Sequence, residues 1–223
     1  MADSCWTTVD NYIADTLIPS DEVLDHALET SADAGLPPHQ VSPAQGRFLQ
    51  LIAKACGARA ILEIGTLGGY SSIWLARALP AGGRLITLEA VSKHAEVARA
   101  NIAHAGLAAL AEVRCGTALD LLPQLAAEGL PPFDMVFIDA DKVASADYFA
   151  WAVKLSRIGS VIIVDNVVRD GALVDPTSDD LSVRGVRRLH ELIAAESRVT
   201  ATTIQTVGCK GYDGFTFALV THK

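Results

Sequence analysis

The chain has 223 residues, half of them hydrophobic and a fifth charged, which excludes a disordered chain and fits one α/β domain with a large core. Its formal net charge of −8, with no basic run, disfavours binding to nucleic acid or to an anionic membrane. No apolar stretch approaches the roughly 20 residues of a membrane span. The opening residues, Met1 to Trp6, are neither basic nor followed by an apolar segment, so a secretory signal is not expected.

The first sixty residues read as helical, over Asp21–Ala34 and Pro43–Ala55, with a break at Leu36-Pro-Pro38. Residues 1–58 are expected to cap a doubly wound core spanning 59–223, the whole forming one domain. Trp6, Tyr12, Ile13 and Leu17 make an apolar stripe suited to internal packing or to a dimer face. Strands are expected at Ala60–Ile64, Arg84–Glu89, Ala111–Cys115, Asp134–Ile138 and Ser160–Val164, because these short β-branched runs are apolar on both faces. Helices fall between them: Gly69–Leu79, a segment N-capped by Ser92 and stopped near Ala105-Gly106, Leu119–Ala127, and about Ala144–Arg157. A helix over Val183–Glu196 and strands near Val199–Val207 and Phe215–Thr221 complete the chain. The alternation predicts a seven-stranded, mostly parallel sheet with helices on both faces. Cys5, Cys56, Cys115 and Cys209 contain no Cys-x-x-Cys pair and read as reduced thiols of a cytoplasmic protein. The six histidines, among them His39 and His94, show no ligand spacing and are assigned to surface or structural positions.

In such a sheet strand one lies between strands two and four, strand five lies beside four, and ligands bind at the carboxyl ends where the order reverses. Strand one runs into Glu63-Ile-Gly-Thr-Leu-Gly-Gly-Tyr-Ser71, where Gly65, Gly68 and Gly69 let backbone approach a ligand. Glu89 stands 20 residues beyond Gly69 at the next strand tip, where an acid accepts two ribose hydroxyls. The strict dinucleotide fingerprint is absent, and Glu63 beside the turn would repel a pyrophosphate and suit a ligand with an ammonium group.

Asp139 ends strand four and Asp165-Asn166 ends strand five. Neighbouring strands lie about 4.8 Å apart, so the two carboxylates and the amide can share one ion. An all-oxygen set favours a hard cation, Mg²⁺ foremost, with Ca²⁺ or Mn²⁺ as options. Lys142, close to such a cation and partly desolvated, is a candidate base for a substrate hydroxyl. Asp141 reads as a local cap or a substrate-loop residue. Three alternatives stay open on residues alone: an enzyme of the same fold that needs no metal, with Asp139 and Asp165 as plain caps, a nicotinamide-dependent dehydrogenase, and a non-catalytic scaffold on the same fold.

Together, Glu63–Ser71, Phe137-Ile-Asp-Ala-Asp-Lys142, Val164-Asp-Asn166, Val41–Leu49 and Asp213–Ala218 resemble the cation-dependent O-methyltransferases of the caffeoyl-CoA and catechol O-methyltransferase type, from about Val41 to Val220. The resemblance implies a Rossmann-like class I methyltransferase fold and S-adenosylmethionine as methyl donor. It implies that Glu89 binds the ribose, that Gly65 and Ser71 hold the methionine end with Glu63 nearby, that Val41 lines the pocket and that Ala118 sits by the adenine. Asp139, Asp165 and Asn166 would hold the metal, Asp139 also lying close to the donor, and Lys142 would be the base. The acceptor would be a small aromatic molecule with adjacent hydroxyls, and the enzyme a homodimer. The sequence departs from the family pattern at Ser145, where an aromatic residue is common and for which Tyr148 is the candidate substitute. It departs again in Arg169–Asp180, in Gly208–Tyr212 and in the first forty residues.

Overall fold

The computed structural model describes residues 4–222. Seven strands form one sheet in the order β3-β2-β1-β4-β5-β7-β6. They are β1 (Ala60–Ile64), β2 (Arg84–Glu89), β3 (Ala111–Cys115), β4 (Phe133–Ile138), β5 (Ser156–Asp165), β6 (Val199–Gly208) and β7 (Gly211–Val220). The first five are mutually parallel, and β7 runs antiparallel to both β5 and β6. The expected strand order and the expected reversal between β1 and β4 are both present.

The helices are α1 (Ser4–Leu17), α2 (Glu22–Asp33), α3 (Pro43–Ala55), α4 (Tyr70–Ala76), α5 (Ser92–His104), α6 (Ala118–Ala127), α7 (Ser145–Leu155) and α8 (Leu181–Ala195). Side chains of a strand alternate between faces. Leu62 and Ile64 therefore join Val136, Ile138, Ile162 and Val164 in a core with α6, α7 and α8. Ile61 joins Met135, Phe137, Val161 and Ile163 in a second core on the opposite face, with α2, α3, α4 and α5. Leu24, Ala27, Leu49 and Ala53 of the N-terminal helices belong to this second core, so the cap and the sheet bury one continuous surface. The stripe on α1 divides: Trp6 and Ile13 are half-buried, whereas Tyr12 and Leu17 are exposed.

Local side-chain chemistry explains some of the helix starts. Asp21 caps α2 by accepting the N–H groups of Val23 and Leu24, and Ser42 caps α3 with Pro43 in the first turn. The expected cap at Ser92 is not present. Val91 occupies the cap position without a side-chain bond and Ser92 is already helical, because the Glu89 carboxylate takes the Val91 N–H instead.

β5 begins four residues before its expected start, directly after α7. The cause is tertiary. Asp134 on β4 receives Nε and Nη2 of Arg157 at 2.9 and 2.6 Å and the N–H groups of Arg59 and Ala60 at 2.7 and 2.9 Å. Ser160 Oγ donates to the Phe133 carbonyl. These bonds draw 156–159 onto the sheet although the segment has little apolar character. Among the described residues no helix is long and apolar enough to cross a membrane.

Candidate active site

A cavity of about 720 Å³ opens over the carboxyl ends of the central parallel strands, within the size range of small-molecule sites. Its floor is the turn after β1. Gly65 has φ +101°, and a Cβ there would lie 2.1 Å from the Asp139 carbonyl oxygen, so only glycine lets this turn cross the tip of β4. Gly69, at φ +84°, occupies the cap position of α4. Gly65 N–H donates to the Leu88 carbonyl and Asp139 N–H to the Ile64 carbonyl, which carries the sheet ladder one residue past the strands and aligns the three tips.

Glu89 lines the cavity at the tip of β2. Its Oε2 accepts the N–H groups of Thr66 and Leu67 at 3.2 and 2.8 Å, and its Oε1 accepts that of Val91 at 3.0 Å. His94 Nδ1 stands 3.4 Å from the same Oε1. The carboxylate is thereby locked to the glycine turn by backbone dipoles.

Glu63 lies elsewhere. It is wholly buried behind the cavity wall, where Ser71 Oγ donates to Oε1 at 2.6 Å and Ser72 Oγ donates to Oε2. Strand alternation sends residue 63 toward α4, so Ser71 stands between this carboxyl and the cavity. Burial pushes the Glu63 pKa up to about 7, partly offset by the two serine hydroxyls.

On the other side of the reversal, the register pairs Ile138 with Val164, so Asp139 and Asp165 follow at neighbouring tips. Asp165 is 5% exposed, and both burial and the adjacent Asp139 carboxylate raise its pKa well above the ordinary range. The Gln45 side chain and the Asn166 backbone N–H bond to it and offset part of that rise. Lys142 Nζ donates to Asp139 Oδ1 at 3.0 Å. Asn166 adopts φ +54°, a conformation non-glycine residues use sparingly. Asp141 acts as a cap toward the Ala144 N–H and also accepts the Tyr148 hydroxyl. Burial and Asp141 together raise the Tyr148 pKa.

Of the residues singled out in the sequence, Val41, Gly65, Ser71, Glu89, Ala118, Asp139, Lys142, Asp165 and Asn166 all line this one cavity, and Glu63 supports it from behind. The wall also includes His39, His94, Gln45, Arg169 and Lys210, which the sequence reading did not place there. His94 had a usable signal, since it lies in the first turn after the β2 tip. His39, Gln45 and Lys210 reach the cavity only through folding of distant segments.

The donor set at the β4 and β5 tips is two carboxylates and an amide. Among the described residues no third His, Cys, Asp or Glu completes a cluster around them. The set still fits a hard divalent cation. Its donors are all oxygen, and two neighbouring carboxylates, one nearly buried, face a single lysine.

The pattern of the O-methyltransferase family matches residues 15–219. The chain belongs to that family. The catechol O-methyltransferase of Niastella koreensis is 51% identical over 220 residues, covering 99% of this chain and 100% of that protein. The crystal structure of the O-methyltransferase from Bacillus cereus in complex with SAH has a TM-score of 0.96 at 59% identity, covering 97% of this chain and 99% of that one. The O-methyltransferase TomG from Streptomyces achromogenes, involved in tomaymycin synthesis and solved in complex with SAM, has a TM-score of 0.96 at 54% identity over 99% of each chain. Membership in an O-methyltransferase family removes the dehydrogenase and scaffold alternatives and makes the Rossmann-like methyltransferase fold the frame for the cavity's chemistry.

Proposed function

We propose that this O-methyltransferase moves a methyl group from S-adenosylmethionine to one of two adjacent hydroxyls on a small aromatic acceptor, with a divalent cation, Mg²⁺ foremost, held by Asp139, Asp165 and Asn166. The observation that carries the proposal is the meeting of those three oxygen-bearing side chains, Lys142 and the glycine turn in one cavity. The relatives support the donor and the acceptor class: the B. cereus and S. achromogenes proteins were solved with SAH and SAM, and the N. koreensis protein is named for catechol.

When bound, adenosylmethionine would supply an electrophilic sulfonium methyl, and a divalent cation held by Asp139, Asp165 and Asn166 would supply Lewis-acid charge that lowers the pKa of an acceptor phenol from near 10. The chain's own residues do the rest. Glu89, already oriented by three backbone N–H groups, offers its remaining lone pairs to the ribose hydroxyls. Ser71, braced by Glu63, and Gly65 hold the methionine end, Val41 covers it, and Ala118 borders the adenine. Lys142, once its ammonium has given a proton to solvent and let go of Asp139, accepts the proton of the acceptor hydroxyl at the free Nζ lone pair. Because Gly65, Glu89, Asp139, Asp165 and Asn166 sit on strand tips or in the turns that follow them, nucleophile and methyl carbon are held in a fixed orientation, which is a large share of the acceleration.

The test is transfer from labelled adenosylmethionine to catechol, before and after chelation. Activity is expected to vanish with EDTA and to return with added Mg²⁺, while adenosylmethionine still binds. Full turnover in chelator would remove the metal from the mechanism.

A further inference from the structure

The loop after β5 is bent in an unusual way. Asn166, Arg169, Asp170 and Gly171 all have left-handed backbone, with φ of +54°, +58°, +55° and +84°. Three of these are not glycine, a conformation each adopts only under constraint. The constraint is Asp213 on β7, whose Oδ1 collects the N–H groups of Val168, Arg169 and Gly214 at 2.9, 3.0 and 2.9 Å.

The result is that Arg169 lines the cavity beside Asn166. Its guanidinium is poorly used by the protein. Nε is buried without a hydrogen-bond partner, and the nearest carboxylate oxygen, Asp213 Oδ2, is 3.9 Å from Nη1. Lys210, in the turn between β6 and β7, lines the same cavity and gives its Nζ to the Pro38 carbonyl rather than to an acid. Lys142, the other lysine in the wall, is paired with Asp139. In a chain of net charge −8, the cavity is therefore lined by two loosely engaged cations, Arg169 after the β5 tip with only a 3.9 Å ion pair to Asp213, and Lys210 bonded to a carbonyl. The β5 tip is about three strand spacings, roughly 14 Å, from Glu89 on β2.

We propose that Arg169, assisted by Lys210, selects acceptors whose vicinal-diol ring also carries a carboxylate. This rests on the vicinal-diol reading of the site. With the two hydroxyls at Asp139, Asp165 and Asn166, a carboxylate elsewhere on the ring would lie in the same cavity as Arg169. A guanidinium with an unused N–H is the group that matches a carboxylate by two parallel charge-assisted bonds.

The measurement is binding by calorimetry to the full chain loaded with SAH and Mg²⁺, paired with kcat/KM for methyl transfer. The probes are 3,4-dihydroxybenzoate and its uncharged methyl ester, which share the diol and differ in charge. The wild type is expected to favour the acid by about tenfold or more. Arg169→Gln is expected to bring the acid-to-ester ratio close to one, Arg169→Lys to give an intermediate ratio, and Lys210→Gln to give a smaller loss. If Arg169→Gln melts well below the wild type, Arg169→Lys and Lys210→Gln give the same ratio in folded protein. Equal use of acid and ester by the wild type, or an equal loss on both in the variants, overturns the carboxylate role and leaves the diol reading intact. Failure to bind or methylate either probe overturns both.

Discussion

The two ends of the cavity are built on opposite electrostatic plans. At the β2 end, Glu89 is held by the N–H groups of Thr66, Leu67 and Val91, and Glu63 behind Ser71 is held by two serine hydroxyls. Acidic groups there are satisfied by neutral dipoles of the fold itself, so that end is rigid in advance of any ligand. At the β5 end, Asp139 and Asp165 stand at adjacent tips, Asp165 is nearly buried, and one lysine serves the pair. Like charges held close in a low dielectric raise each other's free energy, so that end concentrates charge that an added cation would offset. The comparison separates pre-organisation from charge storage within a single cavity. The turn at Gly65, wedged against the Asp139 carbonyl, joins the two ends.

The largest expected effect attacks the charged end alone. Asp165→Ala is expected to lower turnover by about 10³-fold, while SAH affinity by calorimetry stays within a few-fold of wild type. A parallel loss of SAH affinity would show that the two ends are not independent. Next comes the joint between them. Gly65→Ala forces a Cβ onto the Asp139 carbonyl at a φ that alanine avoids, and a loss of about 3 kcal/mol is expected in denaturant unfolding. An unchanged midpoint would mean that the turn can relax without disturbing β4. Lys142→Met is expected to reduce kcat by about 10²-fold with a smaller change in acceptor KM, and a change confined to KM would make the lysine a binding group instead.

The smallest effect probes the satisfied end. Glu63 holds its proton more tightly in the native state, where its pKa is about 7, than in the unfolded chain, near 4.5. Its contribution to stability is therefore complete below the unfolded value and is lost as pH rises through about 7. Relative to Glu63→Gln, the wild type should lose about 2 kcal/mol between pH 5 and pH 8. Parallel stability curves for the two proteins would place the ionisation elsewhere.

Periodicity and punctuation carried most of the fold. The runs at 60–64, 84–89 and 111–115 became β1, β2 and β3 with the expected bounds, because the first two are short, largely apolar runs, the third alternates apolar and charged residues, and each is closed by Gly or by a strand-tip acid. The boundary between α7 and β5 was not legible, since the four residues 156–159 are held on the sheet by Asp134, more than twenty positions away. The same divide runs through the site. Nine of the ten residues proposed for it line one cavity, and the tenth, Glu63, was misjudged by one layer. Proximity in sequence placed Glu63 beside the turn, whereas the pleat of β1 set Ser71 in front of it.

By itself the sequence determined the order of strands and helices, the identity of the tips, and the acids and glycines mounted on them. These follow from local rules, namely period, capping and the steric freedom of glycine, which act within a few residues. Only the tertiary structure decided that His39 and Lys210 share a wall with Asp165, that a single oxygen of Asp213 bends the 166–171 loop and presents Arg169, and which carboxyl is sealed and which lines the cavity. Those outcomes depend on groups brought together from opposite ends of the chain, and no pattern within one segment specifies the burial or the neighbours that such a meeting creates.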